Sequence, residues 1–384
     1  MKTGEADPAV AVFYSSEPDP AVRRIVEALQ PFRGLSPDSR VVIKPNIVVS
    51  RKKWLGANTR PELVESLIVL LREHGVHDIT VGDGSGMGES ATRAFDLCGY
   101  TEIARRHSVR LLDIERDRFI QRPTRSDGPF AGLAISQTVA ECDFLINVPV
   151  IKAHCQTRVT CALKNLKGVM PPKMKSGFHG VDLERAIAQL AEVVSPDFVL
   201  ADGTWGDLSS ELGGSPVNIG IIAGGYDPLA IDCFAASTLG FAPGDIAHIA
   251  HYADFRGVDL LTWKPQIREL NRPAGDRVFR TDTDQFRGYP CTVHGDGACC
   301  TCYGNLRFAL ERLRRSGHLR REDHYYIGRS NTAARGSAKA AGGGSEVRVI
   351  AVGDCALAAD SHSEPAIGID GCPPSAAAIV AAVE

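Results

Sequence analysis

No window of this chain approaches 18 uninterrupted apolar residues, so the sequence predicts no membrane-spanning helix. The opening Met1-Lys2-Thr3-Gly4-Glu5-Ala6-Asp7 lacks the apolar core of a secretory signal. No long basic run is present, and a formal charge of −3 with a pI near 6.4 argues against nucleic acid as the main partner. No internal repeat is visible. These absences predict a soluble, cytoplasmic protein with neither a membrane nor a nucleic acid among its partners. In that setting its eleven cysteines read as thiols, metal ligands or redox groups, not as a disulfide frame.

What is present points to an α/β protein. The chain has 384 residues, 44% of them apolar and 23% charged, which is ordinary for a globular protein and long enough for two domains. Short β-branched runs such as Arg40-Val41-Val42-Ile43-Lys44 and Asp143-Phe144-Leu145-Ile146-Asn147-Val148 alternate with helical segments at 60–74, 182–194, 228–239 and 243–253. Further strands are expected at 197–201 and 217–223. Strands that are apolar throughout and separated by helices imply a mostly parallel sheet flanked by helices. Periodicity weakens near 256–290, so the expected division is an α/β substrate-binding body over 1–260 and a C-terminal, cysteine-rich, cluster-binding α/β segment over 261–384. That segment carries a predicted helix from about 305 to 316, a loop from Arg329 to Ser345 rich in Ala, Gly and Ser, a strand over 347–352 and a terminal helix over 375–383.

Six of the eleven cysteines fall in this last quarter: Cys291, Cys299, Cys300, Cys302, Cys355 and Cys372. Four thiolates complete one iron–sulfur cubane or one tetrahedral zinc. Cys299, Cys300 and Cys302 are close enough in sequence to supply two or three ligands. Cys355 ends a predicted strand, and Cys372 precedes two prolines that fix the backbone. The segments Gly353-Asp354-Cys355-Ala356 and Gly371-Cys372-Pro373-Pro374, with the Cys299-Cys300 pair, resemble the cluster-bearing small subunits of respiratory complex I and of nickel–iron hydrogenases. That resemblance implies a [4Fe-4S] cluster. Structural zinc is the alternative, although of its usual two knuckles only Cys299-x-x-Cys302 fits. Cys291 and Cys302 are surplus to the resembled pattern. The remaining Cys98, Cys142, Cys155, Cys161 and Cys233 read as buried inert thiols.

A second set of residues carries charge. Lys44 and Asn46 follow one predicted strand, Lys152 and His154 another, and Lys164 and Lys167 come shortly after. In open α/β sheets the carboxyl edge of the strands is where ligands bind. Ammonium groups gathered there suit a small anionic substrate, a carboxylate or a phosphate. Histidine as a residue type can exchange a proton near neutral pH, so His154 and His179 with Lys152 are the candidate catalytic residues, and Lys44, Asn46, Lys164 and Lys167 the candidate substrate-binding ones. Asp202 precedes Gly203 and Asp227 precedes Pro228, and with Asp232 they read as turn chemistry before cation binding. Gly82-Asp83-Gly84-Ser85-Gly86 lacks both Gly-x-Gly-x-x-Gly and the Walker lysine, so it reads as a tight turn.

Taken in order, Lys44-Pro45-Asn46, Lys152-Ala153-His154, Lys164-Asn165-Leu166-Lys167-Gly168, His179, Ala201-Asp202-Gly203 and Ala223 through Asp232 resemble the family catalogued as domain of unknown function 362. The resemblance covers about residues 40–260. It implies an iron–sulfur segment beside the domain in many members, and it supplies no reaction. The reading that combines both halves is a [4Fe-4S]-dependent oxidoreductase for a small anionic substrate, fed by an external electron donor such as ferredoxin. Two rivals are a non-redox lyase or isomerase using an open iron as Lewis acid, and an electron-transfer or cluster-carrier protein without its own substrate. The sequence leaves room for a homo-oligomer.

Overall fold

The computed structural model describes residues 7–50, 52, 55–86, 89–125, 127–178, 181–273, 275, 278–279, 286–295, 298, 300–328, 347–358 and 367–384. It separates into two compact units, Met1–Thr283 and Asp284–Glu384. Among the described residues no helix is long and apolar enough to cross a membrane. The loop expected from Arg329 to Ser345 lies outside the described residues, as do His179 and Cys299.

The first unit opens with β1 (Ala9–Tyr14), α1 (Pro18–Leu29), β2 (Arg40–Pro45), α2 (Pro61–Glu73) and β3 (Asp78–Asp83). Next come α3 (Ala91–Cys98), α4 (Tyr100–His107), β4 (Arg110–Asp113), the hairpin β5 (Phe119–Pro123) and β6 (Gly132–Ser136), and α5 (Gln137–Ala140). Then follow β7 (Phe144–Val148), a small hairpin of β8 (Lys152–His154) and β9 (Arg158–Thr160), α6 (Ala162–Asn165), α7 (Pro172–Gly177) and α8 (Leu183–Val193). The unit closes with β10 (Phe198–Asp207), β11 (Pro216–Gly225), α9 (Pro228–Thr238), α10 (Ala247–Phe255) and β12 (Gln266–Glu269).

Eight strands form one sheet in the order β12-β1-β11-β10-β7-β2-β3-β4. Every neighbouring pair from β10 to β4 is parallel, and only β11 runs against the rest, pairing antiparallel with both β1 and β10. The expected mostly parallel α/β sheet is therefore the observed architecture. Alternation along each strand feeds two cores. Val10, Val12 and Val42 face one with α8, α9 and α10, while Ala11, Val41 and Ile43 face the other with α1 to α4. Each such fully buried Val or Ile contributes roughly 1.5–3 kcal/mol relative to exposure. Helix starts follow their chemistry. Pro61 opens α2, Ser90 accepts the Arg93 N–H at α3, and Asp182 accepts the Arg185 N–H at α8.

The first unit extends past the expected division after residue 260. β12 lies in parallel beside β1, with Ala9 opposite Gln266 and Val12 opposite Glu269. All four β12 residues are exposed, so this edge strand has no apolar alternation by which to be recognised.

The second unit has β13 (Thr292–His294), α11 (Cys300–Ser316), β14 (Asp323–Ile327), β15 (Arg348–Val352), α12 (Asp354–Leu357), β16 (Ile367–Ile369) and α13 (Ala376–Val383). Its four strands pair in sequence order and all are parallel. Leu306, Leu310, Tyr325, Ile350 and Ile379 are among the residues of its own core. The helix expected from 305 begins five residues earlier, at Cys300, so Cys302 lies in its first turn.

Candidate functional site

The carboxyl edge of the large sheet holds the charged residues singled out above, but in two unlike groups. Lys44, at the end of β2, is fully buried and donates to Asp83 Oδ1 at 2.7 Å, Asn165 Oδ1 at 3.1 Å and the Pro45 carbonyl at 3.1 Å. Asp83 Oδ2 accepts the Ile47 N–H. Asn46 donates to Asn165 Oδ1, and Asn165 donates to Asn147 Oδ1. Burial pushes the Lys44 ammonium down and the Asp83 carboxyl up, against their mutual attraction. This network is internally balanced. Lys44 spends its charge on Asp83, so the structure makes it a support of the edge and not an exposed ligand for substrate.

Gly168 follows from that network. A Cβ there would sit 2.0 Å from Asp83 Oδ1 and 2.7 Å from Lys44 Nζ, so only glycine lets the chain cross the ion pair. The loop after β3 closes over the same place, with the Gly84 N–H donating to the Gly168 carbonyl. The glycine-rich turn is thus packing chemistry at the edge of the site, as its lack of a phosphate-loop pattern predicts.

The second group surrounds β8. Lys152 is fully buried and donates to the backbone carbonyls of Ala57 and Glu211, with no carboxylate in direct contact among the described residues. Its pKa is lowered to about 7, chiefly by burial, with Glu211 opposing and Lys164 adding to the shift. Lys164, on α6, is half-buried and enters no hydrogen bond or ion pair among the described residues. Lys167 lies over the Phe178 ring at 5.4 Å. His154 is buried, and its Nδ1 accepts the N–H groups of Gln156 and Thr157.

Glu211 was not among the residues singled out in the sequence. It sits on the loop between β10 and β11, 4% exposed. Asp207 shapes that loop by accepting from Ser209, Ser210 and Ser215. The Glu211 carboxylate accepts the Cys155 N–H, and its Oε1 lies 3.5 Å from Cys155 Sγ and 3.9 Å from His154 Nε2. These three side chains bring ligand-type atoms within 4.8 Å of one another, a spacing at which a metal ion could be held. The only signal in the sequence was Asp207 ahead of two serines, a loop-shaping pattern that does not announce a buried carboxylate.

The three aspartates read as turn chemistry have backbone partners. Asp227 accepts the Leu229 N–H at the start of α9, and Arg256 pairs with it at 2.6 Å. Asp202 accepts from Arg60 and Thr204. Asp232 accepts the N–H groups of Ala162 and Leu163 and so holds the start of the helix that carries Lys164.

In the second unit, the parallel sheet sends its cysteine-bearing turns to one edge. α11 begins after β13, Cys355 follows β15 and Cys372 follows β16. The two glycine turns are tied together: the Asp354 N–H donates to the Gly371 carbonyl, and the Gly371 N–H donates to Asp354 Oδ1. Gly353 has φ +93°, and a Cβ on it would lie 3.7 Å from Cys302 Sγ and 3.4 Å from the Gly371 carbonyl oxygen. Asn305 on α11 donates to the Pro374 carbonyl. Cys302 is buried, Cys355 half-buried and Cys372 exposed. Cys300 opens α11.

Cys291 is not brought to that edge. It precedes β13, at the amino end of the parallel sheet, and its neighbour is Asp323 at the first position of β14. A three-residue strand, roughly 10 Å, separates it from the other end. Burial pushes its thiol up to about 11.

With both edges described, the relatives can be placed. The family model described as Domain of unknown function (DUF362) matches residues 41–237. The chain belongs to the DUF362 family. The DUF362 match runs from β2 through most of α9, so it includes the lysines, His154, Cys155 and Glu211 and none of the second unit's cysteines. A curated relative, the thylakoid-associated protein sll1697 of Synechocystis sp., is 29% identical over 256 residues, covering 64% of this chain and 76% of its own. A solved structure, the lactate racemase apoprotein from Thermoanaerobacterium thermosaccharolyticum, aligns with a TM-score of 0.39 at 13% identity, over 64% of this chain and 56% of that one. The match thus spans little more than half of that solved chain.

Proposed function

We propose that this DUF362 protein is an iron–sulfur oxidoreductase acting on a small anionic substrate. The observation that carries the reading is the convergence of Cys302, Cys355 and Cys372, with Cys300 opening the same helix as Cys302, on one edge of the small parallel sheet. The residues suit a [4Fe-4S] cluster. Their donors are thiols, Cys355 and Cys372 each arrive on a turn of their own beside the helix start that carries Cys302, and Gly353 leaves room beside Cys302 Sγ that a side chain would fill. Cys302, Cys355 and Cys372 are the ligands favoured from the described side chains, with Cys299 or Cys300 as the fourth. When bound, such a cluster supplies one-electron transfer.

The first unit would supply the substrate's counter-charges. Lys164 offers an ammonium without a carboxylate partner among the described residues, and Lys152, which feels its charge, has a pKa of about 7. An anion beside Lys152 favours its protonated form, so binding draws in a proton and weakens as pH rises above about 7. That same ammonium can return a proton as the substrate is reduced. A cytoplasmic setting and an external donor such as ferredoxin belong to this reading.

The test is the iron and acid-labile sulfide content, with an electron paramagnetic resonance spectrum, of protein purified without oxygen. About four of each per chain, lost in Cys355→Ala and Cys372→Ala, is the expected result. Zinc in their place, or no metal, overturns the reading. Whether turnover consumes electrons separates it from the Lewis-acid alternative.

A further inference from the structure

Cys155 differs from every other described thiol of the first unit. Cys98, Cys161 and Cys233 are buried, and burial raises their pKa, to about 11 for Cys98 and about 12 for Cys233; Cys161 also hydrogen-bonds the buried Asp232 carboxylate, which raises it further. Cys142 is half-buried and donates to the Val139 carbonyl at 3.1 Å. Cys155 is also half-buried, but its thiol donates to a carboxylate, Glu211 Oε1, at 3.5 Å. It stands in the turn between β8 and β9, and its own N–H anchors the same carboxylate. The arrangement pairs a half-buried cysteine with a buried carboxylate that can take up its proton as the sulfur attacks.

The spacing of His154, Cys155 and Glu211 would admit a metal ion, and the imidazole decides between the two uses. Its Nδ1 lone pair accepts two backbone N–H groups, so the ring proton sits on Nε2, the nitrogen 3.9 Å from Glu211 Oε1. A proton there faces the carboxylate where an ion would need a lone pair. His154 therefore holds the turn and orients Glu211; it is a positioning residue.

We propose that Cys155 is the reactive nucleophile of this site, that Glu211 is its base, and that the ligand is a small anion carrying an electrophilic carbon, such as a 2-oxo carboxylate. The ligand's charge rests on the reading of Lys152 and Lys164 given under Proposed function; the thiol's reactivity does not. In the step itself the thiol proton passes to Glu211 and a sulfur–carbon bond forms. The carbonyl π pair moves to oxygen, and that oxygen takes the proton back from Glu211. No oxidant or reductant is consumed.

Alkylation of the full-length protein, purified with whatever metal it holds and followed by peptide mass spectrometry, tests this. Iodoacetamide at pH 7 should label Cys155 at least about tenfold faster than Cys142, its equally half-buried neighbour in sequence. Glu211→Gln should bring Cys155 down to the Cys142 rate. Bromopyruvate, an anion that loses bromide as the sulfur–carbon bond forms, should be favoured over iodoacetamide by about tenfold more at Cys155 than at free cysteine. Lys164→Ala should abolish that preference. Labelling of Cys155 no faster than Cys142 overturns the nucleophile, even if Glu211→Gln does not fold. An equivalent of bound metal lost in Glu211→Gln or Cys155→Ser overturns it too. Fast labelling without the bromopyruvate preference overturns the ligand class and the anion-binding reading beneath it, whatever the iron content.

Discussion

The two sheets use one topological device for different chemistry. In both, parallel strands deliver their following turns to the carboxyl edge, where residues far apart in sequence meet. At the large sheet, the edge is dense with charge that is mostly spent: Lys44 on Asp83, Lys175 on Glu115. At the small sheet, the edge presents cysteines on turns held by glycine and by backbone hydrogen bonds. An edge built from ion pairs must bury each charge with its partner, which leaves few groups for a ligand. An edge built from thiols needs no counter-charge while the thiols stay protonated, so it can gather several donors at one place.

The largest expected effect that would sharpen this contrast comes from Lys44→Met. Removing one partner strands Asp83 as a buried charge, and urea unfolding should show a loss of about 3–5 kcal/mol. The exposed pair Arg24–Glu27 is the control, and Arg24→Ala should stay within about 0.5 kcal/mol. Equal losses at the two pairs would break the claim that the large-sheet edge is held by its buried charges.

A smaller effect is expected in the pH dependence of stability. Lys152 binds fewer protons folded than unfolded between its lowered pKa of about 7 and the ordinary 10.5, so its contribution to stability rises with pH across that window. From pH 7 to 8, before the raised thiols of Cys98, Cys161, Cys233 and Cys291 oppose it, the gain is at most about 1.4 kcal/mol, since one proton gives about 1.4 kcal/mol per pH unit. Urea midpoints at pH 7, 7.5 and 8 should climb in the native chain and flatten in Lys152→Met. The smallest effect distinguishes the two ends of the small sheet. Cys291→Ala should leave iron content unchanged where Cys372→Ala abolishes it, and an equal loss in both would mean that the edge is wrongly drawn.

Much of the fold was legible in local pattern. The strand and helix expected at 143–148 and 182–194 appear as Phe144–Val148 and Leu183–Val193, because each carries its own apolar period and cap. β12 was not legible, since a solvent-facing edge strand has no buried side to mark. The start of α11 at Cys300 was missed because cysteine, threonine and glycine are poor helix formers and hid its first turn. Within the sites, Lys152 and His154 stood out as residue types at a strand end. Glu211 and the environment of Cys155 did not, and Cys155 read as an inert thiol.

The sequence by itself determined the alternation of elements, the family and the inventory of reactive groups, because these depend on residue type and near neighbours. The tertiary structure decided how each group is used. It joined Lys44 to Asp83 and left Lys164 without a partner among the described residues, set Glu211 beside Cys155 across 56 residues of chain, and put Cys291 at the opposite end of its sheet from Cys302. The physical reason is that charge, proton affinity and reach depend on what lies within a few ångströms, and in a parallel sheet those neighbours come from separate crossovers.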